Sequence, residues 1–330
     1  LINKPSSDFT LINNNNYINN FEELENNNTQ FTICQEDQFL DAYLGQGTYN
    51  TPHKNLRFIS GLYFEYIHFI MNVNSRVNNI MDLQDPNRNY IIGLDHINSG
   101  SYNNFMTIIN FLGINIKETN NSFNNPYESN TVFYYTTNNL NDLMNLFYED
   151  KIDGIFLIRA TNDIYIKNLI QQKDIKFIEL EKNNFNDILN KMKNFYWKKL
   201  NTTYYYTDLF ESKIVSTIAF RSVLITNNTI ETSVVHDLLK TIFMNIGQFL
   251  IAITNISDNL DRQYIGGTIE NLPNDFEPVE MAYIHKLIPM HIGAIKYYRS
   301  INLITNDEKA KYDLKYYADK VKDYYWKYQY

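Results

Sequence analysis

Two short stretches carry the side chains best suited to holding a small molecule. Ser99-Gly100-Ser101 stands at the start of an expected helix. Hydroxyls and unpaired backbone N–H groups there favour a carboxylate by about 0.3–1 kcal/mol through the helix dipole, and charge-assisted hydrogen bonds add to this. Arg159 follows an apolar strand run, Ile155 to Ile158, and its planar guanidinium can grip an anion with two parallel bonds. Each has an ordinary alternative. The serines can simply cap the helix, Ser101 being the expected cap, and Arg159 can sit in a salt bridge.

Catalytic and metal chemistry find no comparable support. The histidines are His53, His68, His96, His236, His285 and His291. Only the last two are close in sequence, at a spacing that fits no common metal motif. All six read as surface or satisfied core residues. Cys34 lies in a buried strand pattern and reads as an inert thiol. The sequence has no Gly-x-Ser-x-Gly elbow, no phosphate-binding loop and no dinucleotide fingerprint. Glu22-Glu23-Glu25 reads as a solvated face. Neither an enzyme nor a cofactor is expected.

Composition narrows the class further. The chain has 330 residues, enough for two domains, and 44% of them are hydrophobic, which excludes a wholly disordered protein. With 29 Lys+Arg against 37 Asp+Glu the net charge is -8, so binding to nucleic acid has no electrostatic basis. A single cysteine excludes an intramolecular disulfide framework. No apolar run reaches the ~18–20 residues that span a bilayer. The abundance of Tyr (27), Phe (21) and Asn, with only 11 Gly, matches AT-rich codon usage, so a missing glycine need not mean a missing loop. The chain begins at Leu1, and a removed targeting peptide or an upstream extension is expected.

The elements that would position these residues alternate between strand and helix. Strands are expected at Phe9–Ile12, Phe31–Cys34, Phe58–Tyr63, Ile67–Val73, Tyr90–Leu94, Thr131–Tyr135, Ile152–Ile158, Ile175–Leu180 and Ile214–Ile225. Helices are expected at Asn19–Glu25, Asp37–Leu44, from Ser101 to Gly113, after a Thr137 cap, at Asn162–Ile170 and at Glu231–Ile251. Asn183 to Asp208 reads as connecting structure between two lobes. Such alternation predicts an α/β fold with mostly parallel sheets.

Leu56-Arg57-Phe58-Ile59-Ser60-Gly61-Leu62-Tyr63, Tyr66 to Val73, Ile80-Met81-Asp82-Leu83, Tyr90 to Gly93 and Asn98 to Ser101 follow one another in an ordered set. In order and spacing they resemble the "LR.L..LY...H.VV....I..I.DLKGK.V..G..GSGT" progression of the TAXI family of TRAP-transporter solute receptors. Phe31 to Leu44 and Lys151 to Ala160 resemble further blocks, and Pro289 to Arg299 is close to the family ending "PLHPGA.KYYRE". The resemblance implies a two-lobed type II periplasmic-binding-protein fold. Residues 1–90 and 181–303 would form one lobe and 91–180 the other, with a cleft for a small carboxylate such as a dicarboxylate or amino acid. It implies ligand contacts from Asn15, Asn16, Gln35, Asp37, Ser99, Gly100, Ser101 and Thr161, no cofactor, and delivery to a membrane transporter from a periplasmic location; it also places Arg159 at the cleft, where the family usually has a small residue, so that its contact with an anion rests on its guanidinium chemistry and a salt bridge is the favoured alternative.

The departures from the family point the other way. Its first strand, Gly-rich loop and long helix have no counterpart before Phe9, and its second Gly-rich loop reads Asn14-Asn15-Asn16-Tyr17. Its Gln-Ser-Asp segment reads Gln35-Glu36-Asp37, a carboxylate close to where an anion would sit, and like charges at that range weaken binding. A further helix over residues 304–330 places Ala310, Leu314, Tyr317, Val321 and Tyr324 on one face and ends in Tyr324-Tyr325-Trp326. Tyr317, Val321, Tyr324, Tyr325 and Trp326 are candidates for partner binding. Together these features favour a second expectation, a receptor-derived domain without ligand that docks in a larger, membrane-associated or mitochondrial assembly.

Overall fold

In a computed structural model the described residues are 17–119, 123, 127–161, 163–191, 194–202, 205, 214–245, 281–282 and 287–304. The expected Phe9–Ile12 strand, Asn15, Asn16, His285 and the C-terminal helix lie outside them.

Along the chain run α1 (Tyr17–Glu25), β1 (Phe31–Gln35), α2 (Glu36–Leu44), β2 (Leu56–Asn72), β3 (Tyr90–Leu94), α3 (Gly100–Phe111), β4 (Asn115–Glu118) and β5 (Thr131–Thr136). They are followed by α4 (Leu140–Tyr148), β6 (Gly154–Ala160), α5 (Ile164–Gln172), β7 (Ile175–Phe177), α6 (Lys182–Lys191), β8 (Tyr196–Asn201), β9 (Ile214–Asn227), α7 (Thr232–Met244) and α8 (Ile292–Ser300). The strands form one sheet in the order β1-β9-β2-β6-β3-β5-β4, with β7 on β2 and β8 on β9. The α/β class stands as expected. The block β4-β5-β3-β6 is parallel, and β2 and β9 meet their neighbours antiparallel.

Four local expectations are corrected. Phe58–Tyr63 and Ile67–Val73 are one 17-residue strand, because register shifts between Phe58 and Ser60 and between Gly61 and Phe64 bend β2 without breaking it. Ser99, not Ser101, caps α3, accepting from the Tyr102 N–H at 3.1 Å. Asn139, not Thr137, caps α4. The stretch from Asn183 is also not a mere connector: α6 buries Phe185 and Ile188, and β8 pairs with β9 from Tyr196↔Ala219 to Asn201↔Ile214.

The core divides sharply along the two long strands. Phe21, Phe39, Phe58, Ile59, Leu62, Val223, Leu224, Val235 and Tyr298 belong to two apolar clusters drawn only from residues 21–63 and 223–304. Phe64, Ile67, Phe69, Tyr90, Phe105, Phe156, Phe185 and Phe220 belong to two others drawn only from residues 64–220. The division falls at the second bulge of β2 and opposite it at Arg221–Ser222 of β9. Each such side chain contributes about 1.5–3 kcal/mol on burial, so both sets of clusters are substantial cores.

Candidate functional site

The junction between these two sets of cores gathers a cluster of buried polar groups. Gln35 ends β1 and is the N-cap residue of α2, and its Nε2 donates to Glu65 Oε2 at 2.6 Å. Glu65 lies on β2 just past the bulge. Asn104, one turn into α3, donates from Nδ2 to Asp37 Oδ2 at 3.0 Å and to the Gly100 carbonyl at 3.0 Å. Gly100 opens α3, and a Cβ there would run into the Gln35 amide, so glycine permits the close approach. The N-terminal ends of α2 and α3 therefore meet across the junction.

Ion pairs close the remaining charges. Arg221 donates from Nε to Glu36 Oε2 at 3.0 Å, and Tyr196 donates its hydroxyl to the same oxygen at 2.9 Å. Arg221 is 3% exposed and Glu36 1%. Arg159, at the end of β6, pairs through Nη2 with Asp95 Oδ2 at 3.1 Å. The ordinary salt-bridge alternative for Arg159 is thus realised, and its Nε remains buried without a hydrogen-bond partner. Ser101 Oγ accepts from the Ile158 N–H at 3.0 Å, tying α3 to β6. Thr161 follows β6, half-buried.

Burial dominates the ionisation of these groups. It pushes the Asp37 carboxyl up to about 7, against the opposing hydrogen bond from Asn104. It raises Glu65 above the usual carboxylate range, opposed by Gln35 and by nearby Arg159. Tyr63 is raised by burial and by the Glu65 charge. Cys34 is buried, and its thiol is pushed well up by burial and by Asp37, Glu65 and Glu36, so its expected inertness has a physical cause. Among the described residues no group of three or more His, Cys, Asp or Glu side chains is arranged to hold a metal ion.

Of the expected site residues, Gln35, Asp37, Gly100 and Ser101 are brought to this junction, with Ser99 capping the helix that opens there. Glu36 belongs to it within the expected Gln35-Glu36-Asp37 segment, and Glu65, Arg221 and Asn104 belong to it and were not anticipated.

A family model described as the NMT1-like family matches residues 4–301. The chain belongs to the NMT1-like family. Members of this family are periplasmic solute-binding proteins. No curated protein matches this NMT1-like chain in sequence. Among solved structures it is similar to XAC2383 from Xanthomonas citri bound to ATP, at 9% identity over 72% of this chain and 71% of that one, with a TM-score of 0.43. A TctC solute binding protein from Polaromonas matches at 11% identity over 71% of this chain and 67% of that one, TM-score 0.38. The arginine-, lysine-, histidine-binding protein ArtJ from Geobacillus stearothermophilus matches at 12% identity over 71% and 73%, TM-score 0.37. No helix among the described residues of the NMT1-like chain is long and apolar enough to cross a membrane.

Proposed function

We propose that this NMT1-like protein is a TAXI-like receptor that captures a small organic carboxylate, a dicarboxylate or an amino acid, at the junction of two lobes, and hands it to a membrane transporter on the periplasmic side. One observation carries the reading: the N-terminal ends of α2 and α3 meet where the two long strands pass from one set of cores to the other. The first N–H groups of α3 and the unpartnered Nε of Arg159 are donors for a carboxylate at that point. In this reading the lobes are residues 17–63 with 221–304, and residues 64–220. Core membership favours these boundaries over 90 and 181. Solute entry then requires the bonds Gln35–Glu65 and Asp37–Asn104 to open, since each joins one lobe to the other.

The test is a thermal-shift screen of the full chain with dicarboxylates and amino acids. A solute at 100 times its dissociation constant adds about 2.7 kcal/mol of stability. A shift with at least one of them is expected.

A second reading is supported by the same two bonds. They satisfy the junction with the chain's own groups, as in a receptor-derived domain that retains the fold, binds no solute and docks on a larger membrane-associated assembly. Absence of any shift, with co-purification in a complex that is lost on deleting residues 307–330, would favour it over the receptor.

A further inference from the structure

We infer that the junction is a proton-operated latch: the lobes hold together while Asp37 and Glu65 are protonated and part as these two carboxyls ionise. The inference uses the division into two lobes and no solute, so it is independent of the receptor reading. Among the described residues three side-chain bonds cross the junction, and each ends on a carboxylate. Gln35 Nε2 donates to Glu65 at 2.6 Å, Asn104 Nδ2 to Asp37 at 3.0 Å, and the Tyr196 hydroxyl to Glu36 at 2.9 Å. The three acceptors differ in what answers their charge. Glu36 has Arg221, whose Nε lies 3.0 Å from Oε2. Asp37 and Glu65 form no ion pair among the described residues. Neutral groups bond to them instead, Asn104 to the first, Gln35 and Tyr63 to the second. Asp37 Oδ1 is buried without a partner.

The surrounding charges do not change this. Asp37 has Glu36 before it and Asp41 one turn on along α2, the Cys34 thiol on β1, and from α3 only the Asn104 amide. Around Glu65 stand Tyr63 on β2, Cys34 on β1, Arg159 on β6 and Asp163 ahead of α5. Arg159 is the cation among them, and it is committed to Asp95 at 3.1 Å. A carboxyl taken out of water with no cation of its own is costly as an anion and far less so as a neutral acid. Closing the lobes buries both groups, and parting them returns both to water. The closed form therefore keeps protons that the open form releases. Burial accordingly raises both carboxyls, Asp37 from 3.8 to about 7. Below pH 3.8 Asp37 is protonated in both forms and exerts no bias. As pH rises from there to about 7 the open form ionises first, and each carboxyl multiplies the open-to-closed ratio by up to about tenfold per pH unit. Acid closes the junction and neutral pH loosens it.

Förster transfer between dyes on Glu22→Cys in α1 and Asn145→Cys in α4, with Cys34→Ala, reads the lobe separation of the full chain without solute between pH 5 and pH 8. The expected result is a short separation at pH 5 and a longer one whose share relative to the short grows at least tenfold by pH 8. In Asp37→Asn combined with Glu65→Gln both bonds keep an acceptor oxygen and neither group can ionise, so the short separation should persist at pH 8. Circular dichroism at both pH values checks the fold, and either single variant, expected to lose part of the response, replaces a double variant that fails to fold. Equal separations in the wild type at pH 5 and pH 8, or a move toward the short one as pH rises, overturn the latch and leave the solute screen untouched. A response that survives unchanged in the variants overturns its assignment to these two carboxyls.

Discussion

Replacing Asp37 by asparagine keeps the side chain's shape and removes one ionisation from the lobe junction. In the folded chain burial holds the Asp37 carboxyl up to about 7, against 3.8 for an ordinary aspartate. Below pH 3.8 it is protonated both folded and unfolded. As pH rises from there, the unfolded chain releases the proton first and the folded chain keeps it. The contribution to stability is therefore fully present at low pH and lost as pH climbs through about 7. Each pH unit inside this window is worth up to about 1.4 kcal/mol. Between pH 5 and pH 8 the loss amounts to about 2–3 kcal/mol. Asp37→Asn has no proton to lose, so its stability relative to wild type should rise by that amount over the same interval. Glu65 is also raised by burial and adds a slope of the same sign, but it is present in both proteins and drops out of the difference. Urea unfolding at pH 5, 6, 7 and 8, followed by tryptophan fluorescence and circular dichroism, measures the two curves. Parallel curves would refute the burial of Asp37 against Asn104.

Three further perturbations follow from the same physical terms. Glu36→Ala leaves Arg221 buried without its carboxylate and should cost about 3–5 kcal/mol in urea unfolding, while Glu36→Leu combined with Arg221→Met should recover most of it; a single variant as stable as wild type would contradict the pairing. His68 is held down to about 4 by burial, so its contribution is present above pH 6.5 and lost as pH falls toward 4. His68→Leu should flatten this acid limb while costing about 1–3 kcal/mol at pH 7 through loss of the ring's bonds to the Tyr66 carbonyl and the Tyr205 hydroxyl, and unchanged acid limbs would count against it. A Cβ at Gly293 would run into the Thr232 carbonyl and lie 2.8 Å from Val235 Cβ, so Gly293→Ala should separate α8 from α7 and destabilise by about 1–3 kcal/mol; a neutral urea midpoint would show that the helices do not meet there.

Local chemistry made some elements legible in the sequence and hid others. The apolar run Tyr90–Leu94 and the stripe Phe105, Ile108, Ile109 ending at Gly113, with φ 67°, are local signals, and β3 and α3 form where they indicate. The break read between Tyr63 and Ile67 came from Glu65, a charge inside an apolar run, and in the structure Glu65 is the polar partner that Gln35 needs. Helix α6 was overlooked because it is polar overall, although Phe185, Ile188 and Leu189 recur at helical spacing. The site was half legible. Gln35 and Asp37 were reached through family resemblance, and Ser99–Ser101 also through the chemistry of a helix start. Glu36–Arg221 and Asp37–Asn104 join residues 185 and 67 positions apart, and no local pattern announces such pairs. One signal was available: Arg221 is a lone charge in the apolar run Ile218–Ile225, and a charge in such a place needs a buried partner.

The account's central claim is that two lobes meet around a solute site, and a distance measured across the junction tests it most directly. Spin labels on Glu22→Cys in α1 and Asn145→Cys in α4, both exposed, with buried Cys34 replaced by alanine, report the separation of the lobes by double electron–electron resonance. The account predicts a broad or two-part distribution without solute that collapses to one short distance with a saturating amino acid. A single distribution that stays the same with every amino acid and dicarboxylate tested would contradict it.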